Sequence, residues 1–137
     1  LSDGTIITGK NSPLLQASSS LILNAAKHLA GLPDRMYLLP EAIIDSVMHL
    51  KHDILEGKMV NLDVDETLIV LGISALSNPA AKMALENMKL LRDCEVHLTH
   101  IPTPGDEAGW RKLKVNLTCD PEYMGKTLFA GEWSFTG

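Results

Sequence analysis

The sequence predicts an α/β fold. Three observations carry that expectation: strand-like and helix-like segments alternate along the chain, Gly, Pro and capping residues punctuate them, and the stretch 94–119 reads as strand, short helix and strand, the pattern of a crossover between neighbouring strands. About four strands in a mostly parallel or mixed sheet, with buried helices, account for the whole pattern.

In order, the run GTIITG over 4–9 is β-branched and bounded by glycines. Asn11-Ser12-Pro13 then offers a cap followed by Pro at the first helical position. From 13 to 30 the predicted helix is apolar or small nearly all round, as a buried helix is, and Gly31 with Pro33 ends it. Residues 36–39 read as a second strand. Pro40-Glu41 opens a helix with Ile43, Ile44, Val47, Met48, Ile54 and Leu55 mostly on one side, and Gly57 stops it. Asp63 and Glu66 have capping-box spacing ahead of an apolar helix over 64–76, although Leu68-Ile69-Val70 also suits a strand. Asn78-Pro79 caps an amphipathic helix in which Ala81, Ala84, Leu85, Met88 and Leu91 oppose Lys82, Glu86, Lys89 and Arg92. Residues 94–101 alternate in the half-buried strand period, Gly105-Asp106 start a short helix to about Lys112, and 115–118 form a strand. The expected organisation is a single α/β domain over 1–120 with an irregular C-terminal arm over 121–137.

The composition narrows the function. A chain of 137 residues makes one domain, and 45% hydrophobic with 21% charged residues is ordinary for a folded protein. Twelve Lys and Arg against 17 Asp and Glu, with no basic cluster, argue against nucleic acid or an anionic membrane as partner. No apolar run approaches the roughly 20 residues of a membrane span. Cys94 and Cys119 make neither a disulfide framework nor a zinc motif, which fits a cytoplasmic location. A start at Leu1 suggests part of a longer protein.

Several constellations could carry chemistry. Asp63-Val64-Asp65-Glu66-Thr67 imitates the two-carboxylate signature of aspartyl phosphotransferases, but Asp63 also makes a plain helix cap. Gly4 and Gly9-Lys10 imitate phosphate-loop spacing without its glycine-rich interior, leaving Lys10, Asn11 and Ser12 as a possible anion seat at a helix start. Asp45, His49, His52 and Glu56 form one stripe at helical spacing that reads as a solvated face, so no metal ligands are assigned, and no cofactor is either. The strongest candidate is the stiff loop THIPTPGDE over 99–107. His100, Asp106 and Glu107 are its candidate acid-base residues, and Thr103 supplies a further hydroxyl. In a parallel sheet this loop would share the carboxyl rim with Lys10, Asn11, Ser12, Glu41 and Asp120, and Lys10, Asn11, Ser12, Thr103 and Asp120 are the candidate ligand-binding residues.

The strings NSPLLQASSSLILNAAKHLAGLPD, LDVDETL and NPAAKMALENMKLLRDCEVHLTHIPTPGDEAGWRKLKVNLT together resemble the C-terminal part of the bacterial DUF1846 (UPF0371) family, up to about Asp120. The resemblance implies a cytoplasmic, three-layer αβα subdomain of a longer parent protein, with the parent's N-terminal region as its partner. It implies no activity and no catalytic residues, and the tail GEWSFTG departs from the family pattern. Two readings follow. In one, an enzyme subdomain lends the loop to a small-molecule, anionic site completed by the N-terminal region. In the other, a structural or homo-oligomer module packs through Ala17-Ser18-Ser19-Ser20 and its apolar helices. A phosphohydrolase centred on Asp63 and Asp65 is a third.

Overall fold

The computed structural model describes residues 1–57 and 60–121. The expected arm over 121–137 lies outside them from residue 122 onward. Helices and a parallel strand pair make up the described chain, an α/β arrangement. Helix α1 spans Ala17–Ala30, α2 Glu41–His49, α3 Val64–Ser74, α4 Pro79–Asn87 and α5 Pro104–Leu113, while strand β1 is Glu95–Leu98 and β2 Asn116–Cys119.

The caps explain most boundaries. Asp63 accepts from the Glu66 amide and Glu66 reaches back to the Asp63 amide, so the capping box of α3 forms as the sequence predicts. Asn78 caps α4 through Ala80 and Ala81, with Pro79 in the first turn. Thr103 caps α5 by accepting from the Asp106 amide, so the helix starts at Pro104, just ahead of the predicted Gly105. Helix α1 starts four residues later than Pro13, because the Ser12 hydroxyl and the Leu15 amide close a local turn that competes with helix. Beyond α2 the chain continues as a π-helical turn over Leu50–Ile54.

α1 packs on α3 and α4, and α3 on α4 and α5. Ile22, Leu62, Leu71, Leu98 and Trp110 are fully enclosed between these elements. The α3–α5 approach depends on Gly109, where an added Cβ would lie 2.3 Å from Val64 Cγ1.

The sheet differs from expectation. Among the described residues it is two-stranded, with β1 and β2 parallel in the register Glu95↔Asn116 to Leu98↔Cys119, plus one isolated parallel bridge between Leu15 and Leu62. Neither 4–9 nor 36–39 joins it. In 36–39 the side chains of Leu38 and Leu39 enter the core while Tyr37 points to solvent, so the segment is an extended cover over α1 without a ladder partner. Residues 4–8 lie beside β1 but are separated from it by a cleft of about 500 Å³.

Candidate functional site

Three chain segments converge around Asp106. The Val64 amide at the start of α3 donates to Asp106 Oδ1 at 2.9 Å, and the Asp106 amide donates to Thr103 Oγ1 at 3.2 Å. Thr103 Oγ1 in turn donates to Gln16 Oε1 at 3.5 Å, at the mouth of α1. Gln16 Nε2 donates to the Asn61 carbonyl at 3.5 Å, and Asn61 Nδ2 donates to Asn11 Oδ1 at 3.2 Å and to the Ser12 carbonyl at 3.0 Å. Lys51 Nζ donates to the same Asn61 carbonyl at 2.8 Å and to Glu66 Oε1 at 2.7 Å. A continuous polar chain thus runs from Asn11 to Asp106 and ties the N-terminal ends of α1, α3 and α5 together. Free amide donors at each helix start explain why acceptors gather there.

The electrostatics follow from enclosure. Burial, with a smaller contribution from the Asp63 charge, pushes the Asp106 carboxyl up to about 6, against the pull of the Val64 amide and of the Thr103 and Ser18 hydroxyls. Burial lowers the His100 pKa, favouring the neutral ring. The Asp63 carboxyl is raised as well, chiefly by burial. An added Cβ on Gly105 would meet Asp63 Oδ2 at 1.8 Å, so the tip of the 99–107 loop is pressed onto the α3 cap.

The predicted site residues therefore divide. Thr103, Asp106, Asn11 and Ser12 do share one network. His100 and Asp106 are 1% and 0% exposed, sealed by packing. Glu107 stands outside on the helix surface, paired with Arg111. Lys10 is exposed and takes no part in the network. Asp120 instead pairs with His97 Nε2 at 3.0 Å, while His97 Nδ1 meets Thr118 Oγ1 at 2.8 Å on the exposed sheet face. The parallel pairing thus holds, but Asp120 serves the exposed face of the sheet, Lys10 and Glu107 stand on the surface, and only Asn11, Ser12, Thr103 and Asp106 join one network.

Gln16, Asn61, Lys51 and Ser19, whose hydroxyl donates to the Leu62 carbonyl at 2.8 Å, belong to no motif that marks them as site residues in the sequence. A weaker signal is present: a run of Gln and Ser at the start of an otherwise apolar helix is unusual unless those groups are bonded inside. Ser18 and Ser19 are indeed enclosed by this domain itself, so they are not available as an outer packing surface. Asp63 is occupied as a cap and Asp65 pairs with Lys112 at 2.8 Å, which leaves the two-carboxylate motif engaged in holding the fold. In the helical stripe it is Asp53, not Asp45 or Glu56, that meets His49 at 2.5 Å and His52 at 2.6 Å, and no metal-binding group forms among the described residues. Nor is any described helix long and apolar enough to cross a membrane.

Fold and site together define an α/β domain built around a polar junction of three helix starts, enclosed at Asp106 and exposed at Asn11. The chain belongs to the family described as the C-terminal domain of unknown function DUF1846, which matches residues 1–129. It is 42% identical to a UPF0371 protein of Clostridioides difficile strain 630 and to one of Clostridium botulinum strain Alaska E43, and 39% identical to one of Clostridium tetani, each over 94% of this chain. It spans 26% of the length of each of these relatives, which are therefore far longer chains.

Proposed function

We propose that this region is a docking module of a larger cytoplasmic protein, and that its polar junction is a lock on the fold and not a catalytic centre. The observation that carries this reading is the outer edge of β1, which pairs with no strand among the described residues. Asn116 and Asp120 amides donate to the Cys94 and Leu98 carbonyls, so the backbones of residues 94, 96 and 98 face β2. By alternation those of Glu95, His97 and Thr99 face the other way, into the cleft in front of residues 4–8. An edge that no described strand occupies is a template for another strand.

The occupant is a strand from the part of the protein that the longer relatives carry N-terminal to this region. Their length supports it, since about three-quarters of each relative lies outside the match. Ile6, 87% exposed at the cleft mouth, gains a partner in that arrangement. Segment 4–8, the added strand, β1 and β2 would then make a sheet of four strands, in which the added strand stands where the sequence counts 36–39.

Catalysis by His100, Asp106 and Glu107 on a small anion is the weaker reading, because two of the three are enclosed and the third is paired outside. Hydrogen exchange on the full-length protein tests the proposal. The His97 and Thr99 amides are expected to be strongly protected there. Exchange at the rate of open amides overturns the strand, and protection that disappears on dilution replaces it with a second copy of the chain.

A further inference from the structure

A second cleft, of about 750 Å³, lies on the other flank of α1. Ser20, Leu23, Asn24 and Lys27 provide one wall from a single stripe of that helix, at spacings of three and four residues. Residues 37–41 and Ile44 provide the opposite wall, and the α4 cap Asn78 closes one end. Its size is that of a small-molecule site.

Its lining is mixed in a way that selects a ligand. Leu14, Leu23, Leu38, Leu39 and Ile44 offer an apolar body to pack against. Lys27 is the cation of the site and is only 8% exposed. Its ammonium donates to the Asp34 carbonyl at 2.6 Å and to the Met36 carbonyl at 3.2 Å, which uses two of three donors. It forms no ion pair among the described residues. The C-terminal end of α1 offsets some of the charge, yet an enclosed ammonium without a carboxylate partner remains short of compensation. Burial accordingly lowers its pKa, with the Asp34 charge pulling back. Asn78 uses Oδ1 as the α4 cap, which leaves its amide NH₂ as a donor, and the hydroxyl of Tyr37, 91% exposed, stands at the rim. Glu41 is the one carboxylate in the lining among the described residues.

We propose that this cleft binds a small amphipathic anion, with its apolar body between α1 and the 37–44 wall and a single carboxylate or phosphate head on Lys27. The head supplies the missing counter-charge and takes the third ammonium donor, while the Asn78 amide and the Tyr37 hydroxyl are the neutral donors nearest at hand. This site touches the polar junction only at Ser12 and lies apart from the β1 edge, and its argument does not depend on either.

Titration calorimetry on the full-length protein separates the outcomes. Phenylbutyrate and phenylbutyl phosphate share one apolar body and differ in the head, and phenylbutanol lacks the charge. Both anions, or one of them, are expected to bind at least about tenfold more tightly than the alcohol. Whichever anion binds better identifies the head. Lys27→Gln is expected to abolish that preference while leaving the alcohol unchanged. Tyr37→Ala, at an exposed position that leaves the core intact, is expected to weaken every probe that binds. In the unaltered protein, anion binding should also raise the titration midpoint of the Lys27 ammonium, observed by NMR against the neighbouring Asp34 and Glu41. No binding, equal binding of anion and alcohol, or an unmoved Lys27 midpoint overturns the proposal.

Discussion

Asn in place of Asp106 isolates the energetic role of the junction. Asn retains the side-chain oxygen that accepts from the Val64 amide and removes only the titrating charge. In the folded chain burial pushes Asp106 up to about 6, against an ordinary value of 3.8. A carboxyl raised in the folded state holds a proton that the unfolded chain has released between those two values. Its contribution to stability therefore falls as pH rises from about 4 to about 6 and is constant above that. At about 1.4 kcal/mol for each pH unit, the gap between the two values amounts to about 3 kcal/mol. Any fixed gain or loss from placing an amide NH₂ beside Ser18 is the same at every pH and cancels in the comparison. Urea unfolding of this chain and of Asp106→Asn, run in parallel from pH about 4 to about 7, should show the stability difference moving in favour of Asn by about 2.5 kcal/mol, because a part of the full gap is already spent at about pH 4. A difference that stays flat across that range would refute the argument that burial disfavours the charged form of Asp106.

Two further substitutions test the packing around the same junction. Gly109→Ala drives a methyl into Val64 Cγ1 and should cost roughly 1–3 kcal/mol in thermal or chemical unfolding, with part of the loss recovered in the double variant with Val64→Ala; a neutral Gly109→Ala would mean that α3 and α5 are not in close contact. Asp63→Ala removes the α3 cap and should cost about 1 kcal/mol of stability, whereas a nearly unchanged stability together with lost activity of the full-length protein would restore the phosphotransfer reading of that motif.

The helices of this chain are legible because their determinants are local. Asp63 with Glu66 and Asn78 with Pro79 fix helix starts through bonds within three residues, so the sequence carries the whole instruction. Strands are not local objects. The β-branched run 4–9 has the composition of a strand, but a ladder requires a neighbouring strand, and here the run rests on α1 while β1 stands across a cleft. The 36–39 run shows the complementary error, since its apolar residues serve the α1 cover instead of a sheet. The 99–107 loop stands out because Thr, Pro, Gly and Asp are compact turn chemistry, and the residue types that suggest a reactive loop are the same ones that cap a helix. Only enclosure distinguishes the two, and enclosure depends on Gly105 meeting Asp63 across more than 40 positions of sequence. Lys27 is inconspicuous for a similar reason. A lysine in the last turn of a helix is an ordinary cap, and its significance comes from the distant 34–44 wall that encloses it.

The docking account is tested most directly by an experimental structure of the full-length protein, read at one place. It predicts a strand from the N-terminal region seated between residues 4–8 and β1, hydrogen-bonded to the backbones of Glu95, His97 and Thr99. Solvent in that slot, with His100 and Asp106 opened toward a bound small molecule instead, would contradict it.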